Sequence, residues 1–136
     1  MNAASRLLEG HMKALIVDDS SAMRSYLTRI LVPQGFQCAH AGDGDEALQV
    51  LGEDDDFDLV LLDWNMPMRD GLQTLKAIRK QSDYDNIRIM MVTTEIDHER
   101  ILLALDTGAN EYLMKPFTPE IVVAKLALLG FEAVTQ

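Results

Sequence analysis

Apolar positions along this chain fall into two alternating kinds of run. Blocks such as Ala14-Leu-Ile-Val17, Leu59-Val-Leu-Leu62 and Ile89-Met-Met-Val92 are continuous, short and bounded by polar residues. Runs of that kind mark strands buried on both faces. Between them the apolar residues recur at helical spacing, as in Met23, Leu27, Ile30 and Leu31. The pattern predicts strands over about residues 13–17, 36–40, 58–62, 87–92 and 111–114. It predicts helices from after Asp19 to before Pro33, then over about 44–51, 72–80, 97–106 and 118–129. Ser20 or Ser21 caps the first helix, and Asp70-Gly71 precedes the third. Gly108 stops the fourth, and Thr118 with Pro119 opens the fifth.

Strict alternation of β and α elements with short joins predicts one α/β domain: a parallel sheet, doubly wound, with helices on both faces. Ligands of such sheets sit outside the carboxyl ends of the strands, at a topological switch point. Four of the five strands run into reactive side chains there. Asp18-Asp19 follow the first strand, Asp63 the third, Thr93-Thr94 the fourth, and Lys115-Pro116 the fifth.

Charge narrows the function classes. Twelve Lys and Arg against 22 Asp and Glu leave a net charge of −10 in 136 residues. That sign argues against non-specific nucleic-acid binding, which depends on neutralising phosphates. No apolar run approaches the length of a membrane span. Residues 1–11 lack the continuous apolar segment of a secretory signal and read as a vector-derived leader, with the domain over 12–136. Arg6 and Glu9 of that leader cancel, so the domain keeps the whole −10. The single cysteine, Cys38, reads as a buried structural thiol, which fits a reducing cytoplasm.

Three carboxylates brought to one sheet edge need compensation. Two like charges about 4 Å apart repel by roughly 4 kcal/mol at an effective dielectric near 20. A hard divalent cation with oxygen ligands is the natural partner, and Mg²⁺ favours one or two carboxylates with water and phosphate oxygens. Lys115 adds a point charge suited to a phosphate, and Thr93 adds a hydroxyl donor. A carboxylate nucleophile, a metal, a cation and a hydroxyl are the parts of a phosphoryl-transfer site.

Asp18-Asp19, Asp63-Trp-Asn-Met-Pro, Asp70-Gly71, Thr93 and Lys115-Pro116-Phe117 together resemble the response-regulator receiver domain of two-component signalling. The resemblance spans residues 12–129 in order and is nearest to the chemotaxis-type single-domain regulators. It implies a flavodoxin-like sheet of five parallel strands, order 2-1-3-4-5, with five helices. It implies that Asp63 accepts a phosphoryl group from the phosphohistidine of a sensor histidine kinase. Asp19, Asp63 and the backbone carbonyl of Asn65 would bind Mg²⁺, with Asp18 acting through water and Mn²⁺ able to substitute. Lys115 would hold the phosphoryl group, and Thr93 with Tyr112 would form a coupled switch. Thr94 and Glu95 would modulate access to Asp63. A cis bond would precede Pro116. A downstream output protein or domain and a phosphatase would be its partners, with no direct nucleic-acid contact and no membrane insertion. Such a protein assists its own phosphorylation and dephosphorylation in the cytoplasm and is not an enzyme on an external metabolite.

Plainer readings stand beside these. Asp18-Asp19 could cap the first helix, and Tyr112 reads equally as a core tyrosine with a wet hydroxyl. Asp54-Asp55-Asp56 reads as a solvated loop, Met66 and Met68 as packing or loop residues, and Trp64 as a partly exposed neighbour of the site. Leu103 lies off the inward stripe of Ile101, Ala104 and Leu105 and reads as an exposed anchor for a partner. Rival functions are a degenerate receiver that only binds a protein and a phosphatase with an Asp nucleophile. The latter class usually carries a second Asp two residues on, where this chain has Asn65.

Overall fold

In the computed structural model of the chain, residue 6 and residues 10–54, 56–67, 69–94 and 98–132 are described. Five strands form one parallel sheet: β1 (Met12–Val17), β2 (Phe36–Ala41), β3 (Leu59–Asp63), β4 (Arg88–Thr93) and β5 (Glu111–Met114). Their order is β2-β1-β3-β4-β5. Five helices connect or follow them: α1 (Ser21–Leu31), α2 (Gly44–Glu53), α3 (Gly71–Arg79), α4 (His98–Thr107) and α5 (Pro119–Leu128). The alternating pattern and the doubly wound sheet are as the sequence predicts. Element ends differ by a residue or two. β1 begins at Met12, β2 runs on to Ala41, and Asp63 stays in β3 because it pairs with Val92 of β4.

Four of the five helices begin where a side chain satisfies a free backbone donor. Ser20 Oγ accepts from the Met23 amide, Asp43 from Glu46, and Thr118 from Ile121. Asp70 and Gln73 form a reciprocal capping box at α3. Gly108 takes φ +127° after α4, a left-handed conformation that suits glycine.

The sheet separates two apolar layers. Leu27, Ile30 and Leu31 of α1 and Val122 and Leu126 of α5 pack on one face. Ala47 and Leu51 of α2, Leu75 and Ile78 of α3, and Ala104 of α4 pack on the other. All five residues of β3 are buried, as a strand covered on both faces requires. Burying each large aliphatic side chain contributes about 1.5–3 kcal/mol against leaving it in water. β1 is the point from which the chain crosses first to one side, to β2, and then to the other, to β3. A crevice therefore opens between the ends of β1 and β3, and Val17↔Leu62 pairing brings Asp18 alongside Asp63.

Two expectations need correction here. Trp64 is not partly exposed; only 3% of it is accessible. Its amide bonds to the Val92 carbonyl, its carbonyl accepts from Gly71, and its ring joins the core cluster with Met66, Leu75 and Ala104. Cys38 is half-buried, not fully buried, because β2 is the edge strand. Burial still pushes its thiol up to about 11, the Thr28 side chain offsetting only part of that, so the thiolate is scarce at neutral pH. Asp54 pairs with Lys13, while Asp55 and Met68 lie outside the described residues. Of the predicted leader, Arg6 stands 3.2 Å from Asp58.

Candidate functional site

The strand ends bring the predicted residues together. Asp18, Asp19 and Asp63 each offer a carboxylate oxygen, and the three oxygens lie within 4.8 Å of one another. Asp18 and Asp63 are buried while Asp19 is exposed, so the cluster is closed at its base and open on one side. The residue that caps α1 is Ser20, not Asp18 or Asp19. Asp18 Oδ1 accepts from the Ser20 amide at 2.9 Å. Its Oδ2 is buried with no hydrogen-bond partner. Lys115 reaches across from the end of β5, with Nζ 3.4 Å from Asp63 Oδ1 and 3.6 Å from Asp18 Oδ2. The bond from Lys115 to Pro116 is cis.

One cation against three carboxylates leaves excess negative charge. Burial, and then the nearby Asp18 charge, raise the Asp63 carboxyl to about 6. Lys115 and the Asn65 backbone amide pull the other way without cancelling them. An orphaned buried oxygen beside two further carboxylates is the donor set of a hard divalent cation, so these residues fit Mg²⁺. Asn65 is exposed beside the cluster.

Thr93 is 1% exposed at the end of β4, and its carbonyl accepts from the Lys115 amide at 2.8 Å. Tyr112 lies on the adjacent strand β5, where it pairs with Met91 two residues before Thr93. Its half-buried ring packs on the core and carries the Lys125 ammonium 4.2 Å above it. Thr94 is exposed next to the site, and Glu95 lies outside the described residues. Leu103 is 47% exposed on α4, beside Leu102 at 60%, as its position off the inward stripe predicted.

Backbone geometry sets the site as firmly as the side chains do. A Cβ on Gly71 would sit 2.7 Å from Trp64 Cα and would also strike the Asp63 carbonyl. Only glycine lets the start of α3 press against the end of β3. Two arginines escaped the sequence reading. Arg24, one turn into α1, donates to the Asp18 backbone carbonyl. Arg79 donates to the carbonyls of Gly108, Tyr84 and Ile87 and to Asn110 Oδ1, tying α3 to the turn before β4 and the loop before β5. Arg24 follows an acidic pair at helical distance and could have been found; Arg79 binds backbone, for which sequence carries no mark.

A half-open acidic cluster at the switch point of a five-stranded parallel sheet, with a lysine just after the fifth strand, defines a receiver-type signalling domain. The chain belongs to the response regulator receiver domain family, whose model matches residues 14–127. It is 40% identical over 116 residues to a chemotaxis protein CheY homolog of Campylobacter jejuni, covering 85% of this chain and 89% of that protein. It is 39% identical over 119 residues to chemotaxis protein CheY1 of Helicobacter pylori, covering 87% and 96%. Among solved structures, CheY4 of Vibrio cholerae aligns with TM-score 0.80 and 37% identity over 86% of this chain and 97% of that one. The CheY of a CheX–CheY–BeF₃–Mg²⁺ complex from Borrelia burgdorferi aligns with TM-score 0.81 and 29% identity, covering 87% and 89%. Membership of this family gives the chain a function in phosphorylation-dependent signalling. Among the described residues, no helix is long and apolar enough to cross a membrane.

Proposed function

We propose that Asp63 is the phosphoacceptor of a chemotaxis-type signalling switch in the cytoplasm, loaded from the phosphohistidine of a sensor histidine kinase. The observation that carries this reading is the meeting of Asp18, Asp19, Asp63 and Lys115 at one strand-end crevice. Asp19, Asp63 and the Asn65 carbonyl would hold Mg²⁺ or Mn²⁺, with Asp18 acting through water. Bound there, the cation offsets the carboxylates and the incoming phosphoryl oxygens. Asp63 attacks phosphorus as the phosphorus–nitrogen bond of the phosphohistidine breaks, and that electron pair stays with the departing imidazole. Lys115 then exchanges its carboxylate contact for a phosphoryl oxygen, and Thr93 donates its hydroxyl to another.

Phosphorylation adds about −1.5 to −2 charges at Asp63. Thr93 moves toward them, and the half-buried Tyr112 on the neighbouring strand turns into the space it leaves. The face formed by α4, β5 and α5 carries that change to an output protein. Hydrolysis of the aspartyl phosphate, with or without a partner phosphatase, resets the switch. The protein is a signalling component that assists its own chemistry and turns over no external metabolite.

The test is incubation with acetyl phosphate and Mg²⁺ followed by intact-mass measurement. Wild type should gain one phosphoryl group, and Asp63→Asn should gain none. An Asp63→Asn protein phosphorylated at the wild-type rate would remove Asp63 from this role.

A further inference from the structure

α2 and α3 pack on the same face of the sheet, and their outer surfaces carry opposite charge. A groove of about 510 Å³ along α2 is lined by four carboxylates, those of Asp43, Asp45, Glu46 and Glu53, and by no cation. A second groove of about 500 Å³ runs between α2 and α3 and is lined by Arg69, Lys76 and Lys80, with Asp45 at its α2 edge. Asp45 is paired with Arg69, Oδ1 to Nε 2.8 Å. Lys76 and Lys80 are exposed and have no ion-pair partner among the described residues. The exposed carboxylates of Glu46 and Glu53 meet uncharged donors, the Gly42 amide and the Gln49 side chain. In a chain of net charge −10, this unpaired basic ridge fits an acidic partner, and an acidic ridge of matching length stands beside it.

We propose that the α2–α3 face joins two copies of this chain about a two-fold axis parallel to these two helices. That axis lays α2 of one copy over α3 of the other and makes the same contact twice. A two-fold axis running across the helices would lay α2 over α2 and set acid against acid. The charge pattern therefore selects one axis.

It also sets the register. Both helices run antiparallel to the strands, and the Asp45–Arg69 pair makes their starting ends level. An axis parallel to the helices keeps those levels, so Asp45 and Glu46 fall opposite Arg69 of the second copy. At about 1.5 Å per residue, Glu53 lies about 12 Å beyond Asp45, and Lys76 and Lys80 lie about 10 and 16 Å beyond Arg69. Glu53 therefore falls between Lys76 and Lys80 of the second copy. Complementary charges fix partner and register more than they add affinity, so the association is weak and depends on concentration. None of these residues belongs to the carboxylate cluster or to the face formed by α4, β5 and α5.

Sedimentation velocity over a concentration series of the full chain tests the pairing. An ionic strength of about 0.15 M screens charges more than about 8 Å apart, so the net charge of each copy opposes contact little. Wild type should show a reversible monomer–dimer equilibrium. Glu53→Lys and Lys80→Glu should each weaken it by about tenfold or more, because each reversal sets like charges together in both contacts. An equal mixture of the two variants should recover the wild-type association, because a lysine then faces a glutamate in both contacts. Both positions are exposed, and melting temperatures equal to wild type verify that the variants fold. A mixture that associates no better than either variant alone overturns the pairing, as do single reversals without effect. A wild type that stays monomeric at every concentration also overturns it, and assigns the basic groove to an acidic partner of different sequence.

Discussion

A carboxylate that is to attack phosphorus must be ionised, and Asp63 stands where ionisation is costly. Burial and the Asp18 charge lift its carboxyl to about 6, well above the usual carboxylate range. The folded, metal-free protein therefore holds a proton on Asp63 where the unfolded chain has lost it. That contribution to stability is full below about pH 4 and is lost as pH rises through about 6; a shift of this size corresponds to about 2–3 kcal/mol. Thermal melts in chelator should show wild type losing several degrees between pH 4.5 and pH 7.5 that Asp63→Asn does not lose. Equal slopes in the two proteins would assign the dependence to other groups. At this scale most of the site was legible, because Asp18, Asp19, Asp63, Thr93 and Lys115 each follow a short apolar run. What was not legible is the division of labour inside the pair: Asp18 is buried and Asp19 exposed, a difference that depends on how β1 turns into α1.

At the scale of elements, α4 and β5 link the site to the surface. Trp64, next to Asp63, lies under the Arg100 guanidinium of α4, 5.2 Å from its ring. Tyr112 of β5 bridges the core and Lys125 of α5. Leu102 and Leu103 stand exposed on α4, and the proposed output face includes them. Leu103→Ala and Tyr112→Ala should each lower affinity for the phosphorylation-dependent partner by about tenfold or more, as removal of a buried interface anchor does. Phosphorylation by acetyl phosphate should be unaffected in Leu103→Ala. Titration of both variants against that partner checks this, and unchanged affinity in both moves the output face elsewhere. Periodicity located α4 and the exposure of Leu103, since both follow from the stripe of Ile101, Ala104 and Leu105. It misplaced Trp64, because an aromatic after a strand end looks exposed until a neighbouring helix is laid over it. It had no access to Arg79, whose backbone partners are carbonyls of two separate segments, the turn before β4 and the loop before β5.

At the scale of the whole molecule, the sheet order itself brings three carboxylates to one edge. The order β2-β1-β3-β4-β5 places the ends of β1 and β3 side by side, and a chain of net charge −10 offers little relief beyond Lys115. A cation that binds the folded cluster and not the unfolded chain must stabilise the fold, by about 2.7 kcal/mol at 100-fold excess over its dissociation constant. A phosphoryl mimic that needs both the cation and the Asp63 oxygen must add to that stabilisation. The most direct measurement is therefore the melting temperature with Mg²⁺ alone and with Mg²⁺ plus beryllofluoride, at constant ionic strength. Wild type should rise saturably with Mg²⁺ and rise further with beryllofluoride. Asp19→Ala should lose most of the first rise, and Asp63→Asn should keep part of the first and none of the second. A wild-type melting temperature indifferent to both additions would contradict the assignment of these four side chains to one metal-dependent phosphoacceptor site.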